Sequence, residues 1–261
     1  NFSDFTYLYL NQLNTIFDKE IIEKVYNKKK IKDGKDFDVD IKLKFEKNDI
    51  EVSAFLTSII SWGNRKMIIN NADRMMKIMG DSPYDFVINA SEKNIESVSF
   101  VHRTFNSDDF KFFILSLKNI YQNHGGLENV FTTNQGDEWI FETITKFKKI
   151  FFSIDHMKRT TKHISDPAKR SACKRINMFL RWMVRKDTSG VDFGIWNKIS
   201  TSILSCPLDT HTLRIAQNLN LVSRTQNDIK TLIQLDSKLR LFDPIDPVKY
   251  DYALFGLGVD K

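Results

Sequence analysis

The chain has 261 residues, 41% hydrophobic and 28% charged, with 10 Gly and 5 Pro. That length can bury a sizeable core as one large unit or two lobes, and the composition excludes disordered and collagen-like chains. The formal net charge is +6, from 39 Lys/Arg against 33 Asp/Glu.

No apolar run reaches the roughly 18 residues that a membrane span needs, so no spanning segment is expected. No basic-then-apolar leader is seen at the start. Cys173 and Cys206 are too few for a disulfide scaffold or a four-cysteine metal site. The expected compartment is a reducing cytoplasm.

Apolar positions recur mostly at helical spacing, which predicts an all-α chain. Phe5, Leu8, Leu13, Ile16, Phe17, Ile21, Ile22 and Val25 predict a first helix over about 5–27. The Lys/Asp-rich stretch 28–40 reads as a solvated connection, and 36–44 is a rare strand-like alternation. Ile50, Phe55, Leu56, Ile59 and Ile60 resume the helical pattern. A helix over 66–79 ends at Gly80, and Asp81-Ser82-Pro83 starts another with Pro in its first turn. Further helices are predicted over 107–123, 137–154, 171–185, 209–219, 225–241 and 247–257. Gly125-Gly126, 187–194 and 243–247 read as loops. No internal repeat and no linker divides the chain.

The charge is unevenly spread. Residues 146–186 hold 13 Lys/Arg against Asp155 and Asp166, so that stretch carries +11 and the remainder −5. Such a segment points to a polyanion partner, or to a merely solvated helix face. The five histidines, His102, His124, His156, His163 and His211, show no metal-ligand spacing with cysteines or acids, so no metal is expected.

The most informative stretch is Leu208-Asp209-Thr210-His211-Thr212-Leu213-Arg214-Ile215-Ala216. Asp209 stands just after a proline, at the mouth of an amphipathic helix. Its carboxylate can serve as a plain N-cap, or can face a substrate from the helix end. The segment resembles the Val-Asp-Thr-His-x-x-Arg-Val stretch of the helix-hairpin-helix DNA glycosylases, the endonuclease III superfamily. Ala172-Cys173-Lys174-Arg175-Ile176-Asn177 resembles that family's Lys-Thr-Ala-Asn helix, and Phe55-Leu56-Thr57-Ser58-Ile59-Ile60-Ser61-Trp62-Gly63-Asn64 resembles its early Leu-Leu-Ser-Ala-Gln segment. The tail, Tyr250 to Gly258, is similar to its last helix. The matches run in the family's order across most of residues 50–258. The pattern is also similar to an uncharacterised bacterial family placed near the archaeal 8-oxoguanine glycosylases.

The resemblance implies an all-α, two-lobed fold. Residues 50–185 would form a central lobe with a hairpin-equivalent turn, and 1–49 plus 205–261 the second, with the lesion pocket between them. It implies excision of a damaged base flipped from duplex DNA, with Asp209 as the catalytic carboxylate and Lys174 as the nucleophile of bifunctional members. The lyase step would then proceed through a Schiff base. Lys169, Arg170, Ser171, Arg175 and His211 are the implied phosphate contacts, and Trp62 and Asn64 the strand-facing residues. No cofactor, iron–sulfur cluster or membrane contact is implied, and a monomer is expected.

This sequence departs from the family in its hairpin. The family's Leu-Pro-Gly-hydrophobic-Gly is replaced by Ile164-Ser165-Asp166-Pro167-Ala168-Lys169-Arg170-Ser171, which has no glycine. Backbone amides approach a phosphate most closely at glycine, so side chains or a differently shaped turn must act instead. Two other readings stay open. One is a catalytically inactive nucleic-acid-binding protein that retains the fold. The other is an interaction protein whose basic face meets an acidic partner.

Overall fold

The computed structural model describes residues 39–132, 139–186 and 192–259, which form two compact units divided between Leu127 and Glu128. The first helix expected over 5–27 lies outside the described residues, as do residues 28–38 of the expected connection. Among the described residues the chain is all-α. Only two isolated bridges, His102–Phe105 and Lys186–Phe193, interrupt the helical pattern. No helix there is long and apolar enough to cross a membrane.

In the unit that ends at Leu127, α1 spans Val39–Ile60 and α2 spans Arg65–Ile78. The alternation at 36–44 does not give a strand, because the described part from Val39 onward is helical. Ile41 and Phe45 also fit a four-residue repeat, and extending the helix of residues 50–60 backward avoids the cost of nucleating separate structure. Asn64 caps α2 through Oδ1, which accepts from the Met67 amide at 3.2 Å. Gly80 follows the helix at φ +68, the left-handed position where a glycine stop is least costly.

Helix α3, Pro83–Asn89, has Pro in its first turn as expected. The short α4, Glu92–Glu96, was not marked by the sequence periodicity. Helix α5 is Ser107–Asn123, as expected, and starts with a capping box between Asn106 and Asp109. Phe100, Phe105, Phe110 and Phe113 pack ring to ring with Phe55 of α1 at the centre of this unit.

The second unit opens with a single helical turn, Leu127–Val130, that begins at the unit boundary. Helix α6, Phe141–Phe151, is followed by 3-10 turns at Lys158–His163 and Pro167–Lys169. Helix α7 is Lys174–Val184, three residues shorter at its start than the sequence spacing predicts. Helix α8 is Thr210–Asn218, α9 is Ile229–Phe242 and α10 is Asp251–Val259, with a 3-10 turn at Pro247–Tyr250 before it. Phe131, Phe147, Phe179 and Trp196 form one aromatic core. A second, mostly aliphatic cluster gathers Leu208, Leu213, Ala216, Leu232, Leu235, Leu239 and Leu254. Helices α8 and α10 pack together, which sets the mouth of α8 beside the start of the last helix.

Candidate functional site

Lys174 and Asp209, 35 positions apart, meet. Lys174 Nζ donates to Asp209 Oδ2 at 2.9 Å. Lys174 is the first residue of α7 and Asp209 the N-cap of α8, so two helix starts face one another. The Asp209 side chain is 13% exposed and that of Lys174 39%, so the pair is open to solvent mainly from the amine side.

Asp209 is the N-cap of α8, as one of its two sequence readings expects. Its Oδ1 accepts from the Thr212 amide at 2.8 Å, the bond of an ordinary N-cap, while Oδ2 faces the lysine. Burial pushes this carboxyl up. The Lys174 ammonium and the Thr212 amide outweigh it, and the group sits below the usual carboxylate range. Asp209 is therefore anionic at neutral pH and fixed in direction.

The turn before α7 closes without glycine. Asp166 caps the 3-10 turn by accepting from the Ala168 amide at 3.0 Å. Arg170 takes φ +67 and Cys173 φ +49, so two non-glycine residues occupy left-handed conformations immediately before Lys174. Ser171 Oγ accepts from the Cys173 amide at 3.1 Å, and the Arg170 carbonyl accepts from the Ile229 amide at 3.1 Å. The turn is thus tied to α9. Lys169 and Arg170 are exposed, while Ser171 is half-buried and engaged in the turn itself. Arg175 is half-buried and donates to the His163 carbonyl at 3.0 Å. His211 is exposed on the first turn of α8, with no hydrogen bond to Asp209 among the described residues. Asn177, the other matched position of the Lys174 helix, is buried and donates to the Ala172 carbonyl at 2.9 Å.

Trp62 and Asn64 belong to the other unit. Asn64 is exposed at the α2 N-cap, and Trp62 is half-buried.

A charged network behind the pair had no motif to reveal it. Arg181, on the same helix as Lys174, pairs with Asp192 at 3.2 Å and with Asp251 at the start of α10. Arg185 pairs with Asp192 and Asp246 at 3.0 and 2.9 Å. The Tyr252 ring lies under both guanidinium groups. The Cys206 thiol, three residues before Asp209, approaches Asp251 Oδ1 at 3.5 Å. Burial pushes Asp251 up despite Arg181, and this carboxyl lies within electrostatic reach of both Asp209 and Lys174. The one sequence signal was Arg181 itself, a charge set among the apolar positions Phe179, Leu180, Trp182 and Met183, all of them buried. Met178, on the same helix, is half-buried.

Among the described residues no cluster of three or more His, Cys, Asp or Glu side chains is arranged to hold a metal ion. Cys173 and Cys206 are both buried free thiols, and burial pushes Cys173 up to about 12. Neither is a ready thiolate nucleophile.

In comparisons with known proteins, no curated protein and no solved structure matches the chain. The chain belongs to the family described as "Protein of unknown function (DUF2400)", whose model matches residues 39–260.

Proposed function

We propose that this protein is a DNA base-excision glycosylase of the helix-hairpin-helix kind, in which Asp209 and Lys174 act on the sugar of a flipped nucleotide. The observation that carries the reading is the 2.9 Å contact between the two residues that the resemblance pairs, each at a helix start.

Cleavage of the glycosidic bond develops positive charge on the deoxyribose. A fixed carboxylate beside C1′ stabilises that charge without reorganising, which is the largest single term in many enzymes. For covalent catalysis Lys174 must be a neutral amine. Its Nζ passes a proton to an acceptor, and Asp209 Oδ2 is already its hydrogen-bond partner. The amine lone pair then attacks C1′, and the base leaves with the electron pair of the C1′–N bond and takes up the proton that Asp209 received, which restores the carboxylate. Ring opening with loss of the second amine proton gives a Schiff base. Removal of a C2′ proton from that adduct expels the 3′ phosphate by β-elimination. Without covalent attack, Asp209 serves the same cation and water adds to C1′.

A second reading has its own support. Asp209 Oδ1 caps α8 and Oδ2 pairs with Lys174, a sufficient structural role for both residues. On that reading the protein binds nucleic acid without cutting it.

Incubation with abasic and oxidised-base duplexes in the presence of borohydride separates the two. The glycosylase–lyase reading predicts a covalent adduct that Lys174→Ala abolishes. It also predicts that Asp209→Asn slows base release by orders of magnitude while retaining DNA binding. No adduct and no base release across a broad lesion panel would sink it.

A further inference from the structure

The unit that ends at Leu127 presents an arginine whose donors are unused among the described residues. Arg103 is exposed, and its guanidinium carbon lies 4.5 Å from the centroid of the Trp62 ring. No carboxylate or hydrogen-bond acceptor engages it among the described residues.

Several groups hold this stack in place before any ligand arrives. Gly63 has φ +102, and a Cβ there would meet Arg103 Nη1 at 2.5 Å, so a side chain at position 63 would displace the guanidinium. Arg103 itself has φ +55, in a two-residue turn closed by both backbone bonds between His102 and Phe105, at 2.8 and 3.0 Å. Glycine or asparagine fills that left-handed position at lower cost. The His102 ring stands edge-on to Trp62, with centroids 5.9 Å apart. With Nε2 donating to the Trp62 carbonyl at 3.3 Å, Nδ1 accepts from Asn71 Nδ2 at 3.0 Å. Phe105 anchors the turn in the core.

A planar cation seated on an aromatic face, with its N–H fork unused, matches a phosphate oxygen pair. The next residues after Gly63 are Asn64, Arg65 and Lys66, all exposed, and they keep the surroundings polar and positive. We propose that Arg103, seated on Trp62, binds a phosphodiester of a nucleic-acid strand. This rests on the nucleic-acid reading above. The contact is to the backbone, so it is independent of base sequence and weakens with salt.

The test uses the full chain and a short labelled undamaged duplex, with affinity measured across a salt series. Arg103→Gln is expected to weaken binding several-fold at low salt on unrelated sequences. It should also reduce the slope of log K against log salt by about one. Arg103→Lys should restore the slope and only part of the affinity, because an ammonium neither stacks as a plane nor forks. Lys93→Gln, an exposed charge on α4, should change neither. Equal thermal midpoints for these surface variants would show that the fold is intact. Wild-type binding with Arg103→Gln matching it in slope and affinity overturns this inference alone. Failure of the wild type to bind any duplex or single strand at low salt overturns the nucleic-acid reading, and this inference with it.

Discussion

At the scale of single residues, Asp209 shows why a helix cap and a catalytic carboxylate are hard to tell apart in a sequence. One oxygen accepts from the Thr212 amide and the other from the Lys174 ammonium, so the cap is observed and the proposed catalytic role falls to the second oxygen. Asp236 is the opposite case, a buried acid with nothing in its sequence context to mark it. Its Oδ1 accepts from the Cys206 amide at 2.9 Å, yet burial pushes the carboxyl up to about 7 against that amide and Arg240. A carboxyl raised in the folded state contributes its full stability below its ordinary value near 4. That contribution then declines as pH rises to about 7, and is constant above. Wild type is therefore expected to lose up to about 4 kcal/mol more stability than Asp236→Asn between pH 4 and 8. Urea unfolding of both proteins at the two pH values measures it, and parallel pH dependence would contradict the assignment.

At the scale of elements, the turn before α7 is where local rules and structure disagree most. Arg170 sits at φ +67 in a turn where glycine would cost less. Arg170→Gly should raise stability by about 1 kcal/mol, read as a small rise in thermal midpoint, because relief of the left-handed conformation exceeds the added entropy of the unfolded chain. A lower midpoint would show that the arginine stem, rather than the backbone, holds the turn. Most helices were legible because their ends carry chemical signals. Examples are the Pro83 start, the Gly80 stop and the Asp209 cap. Helix α4 escaped because five residues give no period, and the start of α1 was hidden by an alternation that fits two repeats. The late start of α7 follows from Arg170 and Cys173, whose left-handed backbone no single sequence announces.

At the scale of the whole molecule, the +11 segment overstates the basic surface. Lys148 donates to the Ile164 carbonyl, Arg175 to the His163 carbonyl, and Lys174, Arg181 and Arg185 pair with aspartates. At least five of its 13 cations thus serve the fold or pair with aspartates, and the charge left for a polyanion is correspondingly smaller. Arg181 is the costliest to lose, since its removal takes one guanidinium from two buried carboxyl groups, Asp192 and Asp251. Arg181→Met is expected to destabilise by about 3–5 kcal/mol, checked by denaturant unfolding. A change under about 1 kcal/mol would mean that the network is loosely held. The pairing of Lys174 with Asp209 was legible only through the family resemblance, because nothing in a 35-residue separation encodes a 2.9 Å contact. The most direct measurement is a mass spectrum of the borohydride-trapped reaction with an abasic duplex. The account predicts a reduced DNA adduct on Lys174 that disappears in Lys174→Ala. No adduct, or an adduct on another residue that persists in Lys174→Ala, would contradict it.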